Sequence, residues 1–137
     1  MTQEQLTVKT NQNHSSPKAV IEQMIAALNR HDLEAMVACF GPEFRSEQPF
    51  HPERGFTGPG GVRQNWSFFF ANIPDIQAEI LNMAVEGTTV WAELHYHGTQ
   101  LDGSSFCAKG VTLTNIEAGK ISWARLYTEQ VAEPPQA

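Results

Sequence analysis

The stretch that decides the fold is a run of four segments near the C-terminal end: IQAEILNMAV (76–85), TTVWAELHYHGT (88–99), SFCAKGVTLTNI (105–116) and KISWARLYTEQV (120–131). Each is rich in β-branched and aromatic residues and too poor in helical spacing to be a helix. The connectors Glu86-Gly87, Leu101-Asp102-Gly103-Ser104 and Glu117-Ala118-Gly119 carry turn residues. Long strands joined by such short connectors predict a meander of antiparallel strands.

Working outward, the chain before residue 76 changes period. Ser16-Pro17 is a helix start, a capping hydroxyl followed by proline at the first helical position. Val20, Ile21, Met24, Ile25 and Leu28 then recur at helical spacing. Asn29-Arg30-His31 breaks that helix, Asp32 caps a second, and Leu33, Met36, Val37 and Phe40 form its apolar face up to Gly41-Pro42. Phe44–Phe50 alternates as a strand, and Pro49 and Pro52 close it. Residues His51–Gly61 have no period and end in Gly-Pro-Gly-Gly, which predicts a loop. From Val62 a helical face of Trp66, Phe69, Phe70 and Ile73 runs to Pro74. The expected order is helix, helix, strand, helix and four strands, an α+β domain with its helices on one side of the sheet.

The 137 residues suit one domain, here 16–131, between loose polar tails at 1–15 and 132–137. A net charge of −6 and the lack of any Lys/Arg run argue against a nucleic-acid partner. No apolar window is long enough to span a membrane, and residues 1–16 do not read as a signal peptide. Cys39 and Cys107 show no metal-ligand or disulfide spacing and read as two buried free thiols. These features make a cytoplasmic location the expectation.

Several of these pieces resemble a known family. Ala27–Met36 (ALNRHDLEAM) is similar to the first helix junction of the SnoaL-like, polyketide cyclase-like proteins of the nuclear transport factor 2-like superfamily. Phe56-Thr57-Gly58 with Val62-Arg63 and Phe68–Phe70 resembles that family's glycine turn and third helix. Pro74-Asp75 and Gly119-Lys120-Ile121 are also typical of it. The resemblance covers about residues 17–130. It implies a cystatin-like cone, α-α-β-α-β-β-β-β, in which a curved, mostly antiparallel sheet encloses one pocket. It does not imply one chemistry, since the fold serves isomerases, cyclases, hydrolases and binders.

By that resemblance the pocket-facing strand positions are Ser46, Gln48, Ala92, Leu94, Tyr96, Gly110, Thr112, Thr114, Ala124, Leu126 and Thr128. A slip of one residue would exchange the two faces. The ketosteroid isomerases use a carboxylate base, a tyrosine and a protonated aspartate, and the matching positions here hold Gln48, Met24 and Thr112. The Asp-Arg-Asp group of the limonene-epoxide hydrolases falls on Leu94, Tyr96 and Leu126, and the cyclases' acid also falls near Leu126. None of these three mechanisms carries over as its family runs it.

Other polar groups remain as candidates. Glu47, Gln48, His51 and Arg54 cluster at a strand end and the loop after it; His51 could act as acid or base with Glu47 orienting it, and Arg54 could hold an anionic group. The alternative is an ordinary surface loop. Trp66, Phe69 and Phe70 could line the pocket or simply pack the core. Glu93, His95 and His97 share a face with Trp91 and Trp123; a homodimer interface on this convex face is preferred there over a metal site. The leading expectation is a protein that takes a small apolar molecule against Met24, Gln48, Arg54, Trp66, Phe70, Leu94, Thr112 and Leu126, with no cofactor and no metal. The first rival is an isomerase, cyclase or epoxide hydrolase acting on a small polyketide, terpenoid or steroid-like molecule through His51, Glu47 and Tyr96. The second rival is a homodimeric interaction module.

Overall fold

The structure is a computed structural model that describes residues 16–132, so the expectations about tails at 1–15 and 133–137 lie outside the described residues. Three helices, α1 (Pro17–Asn29), α2 (Leu33–Val37) and α3 (Pro59–Asn72), accompany six strands: β1 (Phe40–Glu47), β2 (Phe56–Thr57), β3 (Gln77–Glu86), β4 (Thr89–Thr99), β5 (Ser105–Glu117) and β6 (Lys120–Gln130). They form one mixed sheet in the order β2-β1-β6-β5-β4-β3. Only β1 and β6 run parallel; the other neighbours are antiparallel. The fold is α+β, and the meander 77–130 forms as its alternation predicts.

Four local expectations need correction. The second helix stops at Val37 rather than Phe40, and Phe40 instead opens β1 opposite Ile121. β1 therefore spans 40–47, not 44–50. Pro42 is tolerated because the β1–β6 pairing is irregular between Phe40 and Arg45, where a missing N–H leaves no ladder bond open. The stretch 51–61 is not all loop: Pro52–Arg54 is a 3₁₀ turn, and Phe56-Thr57 pairs with Ser46 and Arg45. α3 begins at Pro59, three residues early, since proline suits the first turn where N–H groups lack partners anyway. A side chain at Gly61 would lie 2.2 Å from the Phe56 ring, so glycine there lets the helix approach β2. Cys107 is buried and free, whereas Cys39 is free but only half-buried.

The helix–sheet junction is held by the break at 29–31. The Asn29 side chain donates to Ala78 O (3.0 Å) and accepts from Ala78 N–H (2.7 Å), taking the place of a neighbouring strand on the free edge of β3. His31, at φ +58, hydrogen-bonds Ile76 O through Nε2 at 2.7 Å and stacks on Phe70 with ring centroids 4.9 Å apart. Asp75 accepts from Thr99 N–H at 2.6 Å, and that bond holds its carboxyl below the usual range. Ile21, Leu28 and Met36 from the helices meet Val90, Leu94 and Ile121 from the sheet in the main core.

Candidate functional site in the concave face

Between the concave sheet face and helices α1 and α3 lies a cavity of about 590 Å³. Its walls follow from strand alternation. Ser46, Leu94, Thr112, Thr114, Ala124, Leu126 and Thr128 point into it, as does Gln48 just past the end of β1. Ala92 is instead buried in the core beneath, and Gly110 presents no side chain. One wall is aromatic: Trp66 lies 5.1 Å from Phe69 and 6.2 Å from Tyr96 between ring centroids, with Phe106 behind Phe69. Phe40, Phe44 and Phe56 close the other wall, in edge-to-face contact through Phe44.

The polar groups of the cavity are neutral apart from its rim. Burial pushes the Tyr96 phenol well above its ordinary value, so near neutral pH it is an O–H donor. Among the described residues, the Tyr96 hydroxyl and the Gln48 and Asn65 side chains make no hydrogen bond to another protein group. Unspent donors and acceptors around an apolar volume fit a ligand that carries few polar atoms. Two charged residues line the cavity, Arg54 and Glu129.

The other candidate residues fall as follows. Met24, Trp66, Leu94, Thr112 and Leu126 line the cavity. Phe70 does not; its ring packs on His31 and on Trp66 (5.8 Å) outside the lining. Glu47 has the parity opposite to Ser46 and lies on the other face, 3.3 Å from Arg125 Nε and 3.7 Å from Arg45 Nε. His51 meets not Glu47 but Glu129, Nε2 to Oε1 at 2.7 Å, at the rim. The catalytic trio expected from sequence is therefore not one cluster, and only Tyr96 of the three faces the cavity. The reason is the alternation itself: Gln48 points in, so Glu47 points out.

Phe69, expected beside Trp66, lines the cavity as well, whereas Glu129 and Asn65 are cavity residues that sequence reading passed over. Asn65 was accessible through the phase of α3, since it lies four residues before Phe69 and so on the same helix face. Glu129 carried no such signal, because its contact with His51 joins positions 78 residues apart.

On the convex face, Trp91 pairs with Leu113 and is 48% exposed, and Arg125 stacks on Trp123 at 4.9 Å. His95 meets Cys107 Sγ at 3.4 Å and His97 meets Glu79 at 3.4 Å. Among the described residues no group of three or more His, Cys, Asp or Glu is placed to hold a metal, and no helix is long and apolar enough to cross a membrane.

The model of the SnoaL-like domain family matches residues 21–124. No curated protein matches the sequence at a significant level. Among solved structures, a protein of ketosteroid isomerase-like fold from Catenulispora acidiphila, in complex with trimethylamine, aligns with a TM-score of 0.70 at 17% identity over 81% of this chain and 85% of that one. A cystatin-fold protein from Novosphingobium aromaticivorans aligns at 0.67 with 25% identity, over 86% of this chain and 99% of that one. AclR, a candidate hydroxylase from Streptomyces galilaeus, aligns at 0.70 with 17% identity, over 83% and 77%. With the family's model matching residues 21–124, most of the chain, the chain belongs to the SnoaL-like domain family.

Proposed function

We propose that this protein takes up a small, mostly apolar molecule with one or two oxygen functions in its concave cavity. The observation that carries this reading is a volume of about 590 Å³ walled by aromatic rings and furnished with unspent neutral hydrogen-bonding groups. Its size suits a two- or three-ring molecule. Tyr96, Trp66 and Gln48 are placed to hold the oxygen functions while Leu94, Leu126 and Phe69 cover the carbon skeleton. A neutral probe, naphthalene-2-carboxamide, tests it through tryptophan fluorescence and thermal shift. The expected result is saturable quenching with a rise in melting temperature, since a ligand at 100 times its Kd stabilises by about 2.7 kcal/mol. Ala108→Trp, which fills the cavity from a half-buried wall position, should abolish both signals while leaving the far-UV spectrum intact. Tyr96→Phe should weaken binding by about tenfold, the value of one buried hydrogen bond. No uptake by the native chain at millimolar probe would sink the reading.

An acid–base enzyme is the second reading, favoured by one contact: Glu129 lines the cavity and is bonded to His51. In that case the pair would shuttle a proton at the rim and Tyr96 would donate to a carbonyl oxygen. Relatives in this fold named for isomerase and hydroxylase chemistry are compatible with it. Turnover of a carbonyl or epoxide substrate that is lost in both Glu129→Gln and His51→Ala would favour catalysis over simple uptake.

The exposed Trp91, set among Leu113, Trp123 and His95 on the convex face, supports a homodimer through that face. Sedimentation velocity should find a dimer for the native chain and a monomer for Trp91→Glu. A native monomer, or a dimer that survives the substitution, would rule out this interface.

A further inference from the structure

We infer that the cavity's ligand is an amphipathic acid: an apolar ring body inside, and a carboxylate or similar anionic head at the rim against Arg54. This rests on the uptake reading above and adds the head group to it. The rim holds both charged residues of the lining, but they are not equivalent. The Glu129 carboxylate is engaged by His51 at 2.7 Å. The Arg54 guanidinium has no such partner: its nearest carboxylate is Glu53, 3.9 Å away and 70% exposed, too far for a hydrogen bond and in contact with water. Arg54 is thus the cation at the cavity rim whose charge is left to be met, whereas Arg63 and Arg125 each hydrogen-bond a carboxylate, in a chain of net charge −6.

The position is also built rather than incidental. Arg54 closes the 3₁₀ turn Pro52–Arg54, its N–H bonded to His51 O at 2.9 Å. The His51 ring fastens that turn to the end of β6 through Glu129, so the pair holds the backbone that carries Arg54 at the rim. Gln48 and Thr128 lie at the same end of the cavity, a neutral donor and hydroxyl able to take a second oxygen. The aromatic wall of Trp66, Phe69 and Phe106 offers nothing to a charge and much to a ring. A planar guanidinium matches a carboxylate with two parallel hydrogen bonds, which a neutral amide cannot return.

The matched probes naphthalene-2-carboxylate and naphthalene-2-carboxamide separate head from body. On the native chain the carboxylate should bind about tenfold more tightly than the carboxamide, the advantage of a charge-assisted hydrogen bond over a neutral one. Arg54→Gln should erase that preference while leaving carboxamide affinity within about twofold, and Arg54→Lys should restore part of it. The preference should also shrink as salt rises, because the rim is open to water. Equal affinities on the native chain, or a carboxylate preference that survives Arg54→Gln, would overturn the head-group inference while uptake stands. Failure of both probes to bind would overturn uptake itself, and the head-group inference with it. Arg54 is exposed and makes no buried contact, so its variants should fold as the native chain does.

Discussion

Gly110→Ala should destabilise the protein by at least about 3 kcal/mol, and urea unfolding followed by circular dichroism should read this as a large drop in midpoint, or as failure to fold. Gly110 has φ +149, a conformation that side-chain-bearing residues rarely adopt. A methyl group built there would lie 2.1 Å from Tyr127 O and 2.7 Å from the Thr128 Cα. Both are backbone atoms of β6, a strand held between β1 and β5, and neither can turn aside as a flexible side chain could. Gly110 sits between Leu94 of β4 and Thr128 of β6, so the two strands that form much of the cavity wall would be forced apart. Gly103→Ala is the control: it also has positive φ, +86, but nothing lies within 4 Å of the added carbon. That variant should cost only about 1 kcal/mol, the conformational term without the collision. Equal midpoints for the two variants would show that the close approach of β5 and β6 is not as described.

The second large effect is expected at Asn29. Asn29→Ala removes both hydrogen bonds to Ala78 and strands a half-buried N–H and C=O at the edge of β3, which should cost about 2–4 kcal/mol. Asn29→Asp separates the two bonds. Its carboxylate can still accept from Ala78 N–H but faces Ala78 O with no donor, so its loss should approach that of alanine when ionised and lessen in acid. Hydrogen exchange should localise the damage, with the Ala78 amide losing protection before those of β5. Uniform loss across the sheet would mean that Asn29 supports the core as a whole and not the β3 edge.

These two residues show how differently parts of the chain could be read in advance. The four strands of the meander were legible because alternation and turn residues are local properties, each visible within about ten residues of sequence. Asn29 was legible as a helix break, and its setting in ALNRHDLEAM carried the family resemblance. Its partner, 49 residues away, was not legible, and so neither was its work as a substitute strand. The short strand Phe56-Thr57 was hidden for a similar reason: two residues carry no period, and their pairing with β1 is the whole signal. Gly58-Pro59-Gly60-Gly61 looked like loop composition, yet proline and glycine are well suited to a helix's first turn when another chain segment packs closely against it.

The cavity divides along the same line. The family resemblance implied that Leu94, Tyr96, Thr112 and Leu126 face the pocket, and all four line it; alternation alone separates the two faces of a strand without saying which is concave. The grouping of Glu47 with His51 was a reading from nearness in sequence, and nearness in sequence counts for little where a strand ends. Glu47 turned outward to two arginines, and the loop after Gln48 carried His51 across to β6. By itself, then, the sequence determined the three helices, the meander strands and the α+β class, because those rest on period and composition; which face of each strand looks inward entered through the family resemblance and was decided by the sheet itself. Only the tertiary structure decided that Glu129 holds His51, that Arg54 is left without a close carboxylate, and that Tyr96 faces the cavity as a neutral donor. Those depend on distances between segments that the chain brings together from its two ends.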